Sequence, residues 1–294
     1  MGYLFIVNSG SGSSSMDYES EIQSYFEQIE DKFEIHLLGT EIDPKAIKKV
    51  IDESEANTIV AVGGDGTIKL VAEQILGSDK ILGIIPAGSA NGMAKELGIP
   101  GKDVKAALDF IIRGEHRSIH LLYVNNELCI HLADLGFNAY LVERFDQLPQ
   151  RGMWGYAKAT VHALLNHERM NVSLEFEGKM IQTKAAMVVM ANATKYGTGF
   201  KINPDGKLDD EEFEVVIVKD YSYSEIFKMW LTKLPVNPKK IAVYQTKSLT
   251  VHTKRKAHLQ VDGEYQGKQS EVKAILAPER VNVIIGDIND DVVQ

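Results

Sequence analysis

Five residues, Gly63-Gly64-Asp65-Gly66-Thr67, constrain this chain most, because they close an apolar run and open a helical one. Thr58–Val62 reads as a buried strand, and Ile68–Leu76 reads as a helix. Three glycines at such a junction let the backbone turn sharply and approach a ligand closely. The helix that follows presents free N–H groups and its positive dipole end to an anion. Asp65, held among those glycines, is placed to orient a metal or polarise an acceptor hydroxyl. A tight strand-to-helix turn with an ordinary cap is the bland alternative, and this string at this junction is too specific for it.

The same alternation runs through the first third. Tyr3–Asn8, Phe33–Leu38 and Ile81–Pro86 read as strands. Tyr18, Ile22, Tyr25, Phe26 and Ile29 form one helical stripe, Pro44 opens a helix, and Asp103–Arg113 closes the series. Strands alternating with helices predict a parallel sheet covered on both faces. Two further loops follow strands in this series, Asn8-Ser9-Gly10-Ser11-Gly12 and Pro86-Ala87-Gly88-Ser89-Ala90-Asn91-Gly92. Loops at the carboxyl ends of neighbouring strands are where ligands bind in open α/β sheets. Ser89 and Asn91 supply side-chain donors there.

From about Ile119 the pattern becomes β-rich. His120–Asn125, Leu128–Asp134, Asn171–Phe176, Ala185–Ala191 and Phe213–Val218 read as strands, with Asn125-Asn126 and Glu177-Gly178 as hairpin turns. Ser248–Val251, His258–Val261, Glu271–Ala277 and Val281–Ile285 add strands, and Gly155–Asn166 and Ser224–Leu234 read as helices. The expected architecture is α/β plus all-β: residues 1–120, then a β-sandwich over 121–285, with the 286–294 tail packing back on the first domain. A length of 294 residues suits two cores better than one.

Charge and composition exclude some partners. A net charge of −9 argues against nucleic acid, which calls for a basic face. No run approaches the ~20 apolar residues a membrane-spanning helix requires. Tyr3–Val7 is too short for a signal segment, and Gly2 lacks the Ser or Thr that myristoylation wants at position 6. Cys129 stands alone and fits a reducing compartment. A cytoplasmic protein, soluble or transiently at the inner face of the membrane, is expected. The Ser224–Leu234 helix carries Phe227 and Trp230 with Lys228, Lys233, Lys239 and Lys240 nearby, which suits an interface; packing on its own sandwich is the favoured reading. Met153, Trp154 and Tyr156 are candidates for an acyl-chain pocket or for core.

Together the three loops resemble the diacylglycerol kinase catalytic family, which includes bacterial diacylglycerol kinases, YegS-type lipid kinases and sphingosine kinases. The likeness continues through Leu135-Gly136-Phe137-Asn138-Ala139, Pro204–Val218 and Val261-Asp262-Gly263-Glu264, so it spans nearly the whole chain. It implies a Rossmann-like ATP-binding domain of the NAD kinase/diacylglycerol kinase type, a β-rich acceptor domain and an active site between them. It places ATP, with Mg2+, on Asn8, Ser9, Gly10, Ser11, Gly12, Thr40, Gly63, Gly64, Asp65, Gly66, Thr67, Ile68, Lys69, Leu70, Ser89 and Asn91. Glu264 would be the general base for a lipid hydroxyl, Asp65 the other essential acid, and Asp262 a further candidate. A structural magnesium would rest on Asp210 with the carbonyls of Lys207 and Glu212. A homodimer is compatible with this reading.

The chemistry is consistent without the family. Phosphoryl transfer needs positioning, neutralised phosphate charge and a carboxylate near the nucleophile. Asp262 and Glu264 lie two residues apart, so in an extended segment they would share a face; a surface turn is the alternative. Several residues depart from the family pattern. Ser9 stands for Pro, Ser89 for Thr, Gly92 for Asp, Lys69-Leu70 for Asn-Glu, and Glu211 for Gly. The Lys69-Leu70 change bears on nucleotide contacts and the Glu211 change on the structural metal. An NAD kinase, with Asn126-Glu127 as its downstream pair, and a regulator that has lost catalysis are the rival functions.

Overall fold

Short apolar runs separated by Asp-capped helices build the first unit of this computed structural model. The structure describes residues 2–10, 16–101, 103–146, 169–193, 206–219 and 240–286. The expected helices Gly155–Asn166 and Ser224–Leu234, the residues Ser11, Gly12, Met153, Trp154 and Tyr156, and the tail beyond 286 lie outside them.

The first unit comprises β1 (Gly2–Val7), α1 (Tyr18–Phe26), β2 (Lys32–Leu37), α2 (Pro44–Glu53), β3 (Thr58–Gly63), α3 (Asp65–Ile75), β4 (Ile81–Pro86), α4 (Gly92–Glu96) and α5 (Val104–Arg113). The strands pair in parallel in the order β2-β1-β3-β4. β1 and β3 are apolar and buried along nearly their whole length, as strands covered on both faces must be, whereas the edge strand β2 alternates. Asp17, Asp43 and Asp103 cap α1, α2 and α5 by accepting from Ser20, Lys45 and Lys105 N–H groups. Pro44 occupies the first turn of α2, where its missing N–H costs nothing. Tyr25 on α1 donates to Asp109 on α5 at 2.6 Å, and burial, then that carboxylate, pushes its phenol up to about 12.

The chain passes into the second unit along β5 (Glu115–Val124) and returns along β14 (Glu264–Ile285). Compact packing divides it at His120/Leu121 and Ala277/Pro278. Val281–Ile285, grouped with the second half from sequence, pairs in parallel with β4 through Asn282↔Ile81 and Val283↔Leu82. Its residues Val281, Val283 and Ile285 are buried, so they cover the β4 edge as a fifth strand of the first sheet.

The second unit adds β6 (Glu127–Cys129), β7 (Leu132–Gly136), α6 (Phe137–Asp146), β8 (Met170–Phe176), β9 (Lys179–Ala185), β10 (Met187–Ala191), β11 (Phe213–Val218), β12 (Ile241–Thr246) and β13 (Ser248–Val261). It is a β-sandwich. β13 pairs with β8 through Thr250–Thr253 and with β7 through Leu259–Val261, so one irregular strand serves both layers. Val172, Leu174, Val188, Met190, Val215, Ile217, Val251 and Leu259 meet in the core between them. Among the described residues no helix is long and apolar enough to cross a membrane.

Three hairpin turns have two successive residues at positive φ: Asn125 and Asn126 (50° and 70°), Glu177 and Gly178 (51° and 73°), Asp262 and Gly263 (51° and 86°). Such pairs match the right-handed twist of flanking strands. The structure differs from the sequence reading in several places. Leu128–Asp134 is interrupted at Ile130-His131, Ser248–Val251 and His258–Val261 belong to the one strand β13, Glu271–Ala277 and Val281–Ile285 to the one strand β14, and Phe137–Asp146 is a helix where no element was expected. Phe137 and Leu141 pack α6 onto Met187 and Val189 of β10, which explains a helix where the pattern was read as a motif alone.

Candidate active site

The carboxyl ends of β1, β2, β3 and β4 carry Asn8–Gly10, Thr40, Gly64–Thr67 and Ala87–Asn91. β1 lies between β2 and β3, so the strand order reverses there, the place where open sheets leave a crevice. Asn8 bridges it. Its N–H donates to the Val62 carbonyl at 2.9 Å, its Nδ2 to Thr67 Oγ1 at 3.1 Å, and its Oδ1 accepts from Gly10 N–H. The structure thus brings the first loop onto the Gly-Gly-Asp-Gly-Thr turn.

Glycines let the third and fourth loops cross. A Cβ on Gly88 would lie 2.6 Å from the Gly64 Cα and 2.8 Å from Asn91 Oδ1, and one on Gly63 would overlap Thr67. Gly64 and Gly88 are therefore fixed by mutual approach of main chain, not by positive φ. Gly66, in the first turn of α3, is exposed and has nothing within 4 Å of a Cβ position. Asn91 sits at φ 50° and closes its loop by accepting from Gly88 N–H at 2.9 Å and donating to the Gly88 carbonyl at 2.8 Å. Asp65 joins the loops: its two oxygens accept from Gly92 and Met93 N–H, each at 3.1 Å. It therefore caps α4 from another element, and the negative charge sits at a helix N-terminus.

Not every residue expected at the nucleotide faces outward. Ile68 is fully buried and its N–H is used by the Gly64 carbonyl, so its side chain is core. Thr67 and Lys69 are also buried; Ser9, Gly10, Thr40 and Ser89 are exposed, and Leu70 is half-buried. Beside the fourth loop a cavity of about 240 Å³ is lined by Tyr18, Pro86, Gly88, Ser89, Asn91 and Val104, among others. That is slightly below the ~300 Å³ at which drug-sized pockets begin, room for part of a nucleotide.

In the second unit Asp262 and Glu264 do not share a strand face. Asp262-Gly263 is the turn itself, and Glu264 opens β14 opposite Val261. The Asp262 carboxylate accepts from the N–H groups of Ile130 (2.9 Å), His131 (2.9 Å) and Leu132 (3.2 Å). Those donors are freed where Leu128–Asp134 is interrupted, so Asp262 is a clamp for that bend. The Glu264 carboxylate is exposed and makes no hydrogen bond among the described residues. Sequence reasoning missed two polar residues behind this turn, Asp134 and Gln260, both buried. Gln260 accepts from Gly263 N–H at 2.7 Å and donates to Asp134, which also accepts from Ala139 N–H at 2.8 Å.

For the structural metal, Asp210 accepts from Glu212 N–H at 3.4 Å, and Lys207 is exposed. Glu211, in the family's glycine position, pairs with Lys247 at 2.9 Å and raises the pKa of that ammonium. Among the described residues no cluster of three or more acidic, His or Cys groups could hold a metal. A cation here would depend on Asp210 and main-chain carbonyls, oxygen donors of the kind magnesium takes.

Comparisons with known proteins cover almost the whole chain. The family model described as diacylglycerol kinase catalytic domain matches residues 2–124. The one described as YegS C-terminal NAD kinase beta sandwich-like domain matches residues 133–285. The chain is 28% identical over 258 residues to a diacylglycerol kinase of Bacillus subtilis, covering 84% of each protein. It is 28% identical to one from Staphylococcus epidermidis over 243 residues, 74% of this chain and 70% of that one. Among solved structures, a diacylglycerol kinase from Bacillus anthracis shares the fold at TM-score 0.72 and 19% identity, covering 97% of both chains. An NAD kinase from Archaeoglobus fulgidus in complex with ATP shares it at TM-score 0.57 and 13% identity, covering 97% of this chain and 93% of that one.

Proposed function

Since this chain belongs to the diacylglycerol kinase catalytic-domain family and is a lipid kinase at the level of that family, we propose that it transfers the γ-phosphoryl group of ATP to a hydroxyl of a diacylglycerol-like or sphingoid-like lipid. The observation that carries this reading is the contrast between two carboxylates, Asp262 in a hairpin turn and Glu264 at the start of the strand that leaves it. Asp262 is saturated by three N–H donors, while Glu264 is exposed and uncommitted. A group that must take a proton needs a free lone pair, so Glu264 is the general base.

The phosphates of ATP lie on the N–H groups at the start of α3 and on the loops tied by Asn8 and Asp65. There the helix dipole and free donors favour negative charge. Mg2+ accompanies ATP and neutralises phosphate charge. Asp65 keeps the two glycine loops in register, and its loss disturbs nucleotide placement. As the acceptor oxygen forms its bond to the γ-phosphorus, Glu264 receives the hydroxyl proton and ADP leaves. Such transfer is almost entirely positioning and charge stabilisation.

An NAD kinase is the second reading, favoured by the Archaeoglobus neighbour. Of its marker pair, Asn126 lies in the β5–β6 hairpin turn at φ 70°, where the turn itself accounts for the asparagine, and Glu127 opens β6 opposite Val124. Radiolabelled ATP, diacylglycerol and sphingosine in mixed micelles, and NAD as competitor test the choice. Label in the solvent-extractable lipid is expected. Label in NADP with none in lipid overturns the reading, and single-turnover consumption of ATP separates a slow kinase from a binding protein.

A further inference from the structure

Two segments far apart in sequence, Asp134–Ala139 and Gln260–Glu264, are joined by a hydrogen-bonded chain that runs behind the catalytic turn. Asp134 is fully buried and Gln260 is 1% exposed. They face each other across the β7–β13 pair, in the register Gln260↔Asp134. Asp134 accepts from the Ala139 N–H in the first turn of α6 at 2.8 Å, from Asn138 Nδ2 at 2.6 Å, and from Gln260 Nε2. Gln260 Oε1 then accepts from the Gly263 N–H at 2.7 Å.

A buried amide is costly unless both of its ends are bonded, and an apolar residue could fill the same volume between apolar neighbours. What an amide adds is polarity: its donor end is fixed by the Asp134 carboxylate, so its acceptor end points at Gly263. The turn is thereby clamped twice. Asp262 grips the Ile130–Leu132 bend with its carboxylate, and Gln260 grips the main chain of Gly263. Glu264 follows immediately and has an exposed side chain that makes no hydrogen bond among the described residues. The position and direction of its Cα–Cβ bond, from which the carboxylate must reach, are therefore set by the backbone that carries it.

We infer that Gln260 is a positioning residue for phosphoryl transfer: relayed from Asp134 on β7, it fixes the Gly263-Glu264 peptide and so aims the Glu264 carboxylate at the acceptor hydroxyl. The inference rests on the reading of Glu264 as the base. A displacement of about 1 Å at a reacting group can cost on the order of 100-fold in rate, so loosening this peptide is read in kcat.

The test compares wild type, Glu264→Gln, Gln260→Leu, Gln260→Glu and the exchanged pair Asp134→Asn/Gln260→Glu in the micelle assay, with ATP titration and thermal melting alongside. Gln260→Leu removes the acceptor, and Gln260→Glu places two carboxylates face to face. Each is expected to lower lipid-transfer kcat by roughly 10- to 100-fold while KM for ATP stays put. The exchanged pair restores one donor between the two side chains and returns an acceptor to Gly263, and the Asn138 amide, turned over, offers its oxygen to the new amide nitrogen at position 134, so kcat recovers to within about threefold of wild type. A fall in melting temperature with kcat per folded molecule unchanged makes Gln260 merely structural and overturns the inference. So does an exchanged pair no better than Gln260→Glu alone. Should Gln260→Leu fail to fold, the Gln260→Glu and exchanged-pair results still decide. Full transfer by Glu264→Gln overturns the base itself, a failure distinct from one in which Glu264→Gln is dead and every Gln260 variant is active.

Discussion

Around Asp65, main chain holds main chain: Gly64 and Gly88 cross where no Cβ fits, and Asp65 and Asn91 spend their polar atoms on backbone groups. Around Glu264, side chains do the holding, through the buried Asp134 and Gln260 and the half-buried Asp262. The two regions therefore have different weaknesses. A site held by glycines fails when volume is added, and is indifferent to small polarity changes elsewhere. A site held by a buried carboxylate and an amide fails when a donor is exchanged for an acceptor at constant volume. On the proposed reading, nucleotide binding falls to the first arrangement, which presents N–H groups, and proton transfer to the second, which presents an exposed carboxylate.

The largest expected effect comes from Glu264, whose carboxylate has no hydrogen bond among the described residues. Glu264→Gln should lower lipid transfer by roughly 100-fold or more, the scale of lost general-base catalysis, with ATP affinity and melting temperature unchanged. Asp65→Asn should instead weaken ATP binding and transfer together, because its amide cannot accept from both Gly92 and Met93 as the carboxylate does. If isothermal titration shows Glu264→Gln losing ATP affinity as well, the division of labour between the two regions breaks.

Asp262→Asn sharpens the comparison within one turn. An amide nitrogen must now face at least one of the three N–H donors from Ile130, His131 and Leu132, leaving a part-buried donor unpaired. Such a loss costs about 1–3 kcal/mol, so denaturant midpoints should fall while kcat per folded molecule stays above that of Glu264→Gln. An Asp262 variant that is stable but dead would exchange the roles assigned to the two acids. In the first region the matching test is Gly88→Ala. Its new Cβ meets Gly64 Cα and Asn91 Oδ1 below 3 Å, and overpacking of this kind costs about 1–3 kcal/mol. ATP affinity should fall with it, since the crossed loops must part; unchanged affinity in a folded variant would place the nucleotide elsewhere.

The periodic part of the molecule was legible in the sequence. The strand read as Thr58–Val62 ends at Gly63, and the helix read as Ile68–Leu76 is present but begins three residues earlier, at Asp65; both were legible because the apolar run and the glycines are local signals. The turns at Asn125 and Glu177 were legible for the same reason. The polar chain behind Glu264 was not, because Asp134 and Gln260 are 126 positions apart and only register brings them together. Each nevertheless left a trace, a polar residue inside an apolar strand: Ala133-Asp134-Leu135 and Leu259-Gln260-Val261. The shared-face reading of Asp262 and Glu264 failed because Asp-Gly between two strands is itself the hairpin signal.

The smallest expected effect is the most selective. Gly66 lies in the first turn of α3, has no positive φ, and has open space where a Cβ would go. Nothing inside the chain requires glycine there, unlike at Gly63 or Gly88. Glycine is a poor helix residue, so Gly66→Ala should raise stability by up to about 1 kcal/mol. If phosphate groups approach the α3 N-terminus closely, the added methyl group occupies space they need, and ATP affinity should fall in the same variant. Opposite signs for stability and affinity are the result expected, read by thermal melting and nucleotide titration on one preparation. A variant that gains stability and keeps its affinity would show that the open space at Gly66 is not where the nucleotide comes closest. The contrast between a region shaped by a ligand and a region shaped by its own packing would then have to be redrawn around Ser9 and Ser89, the exposed side chains of the neighbouring loops.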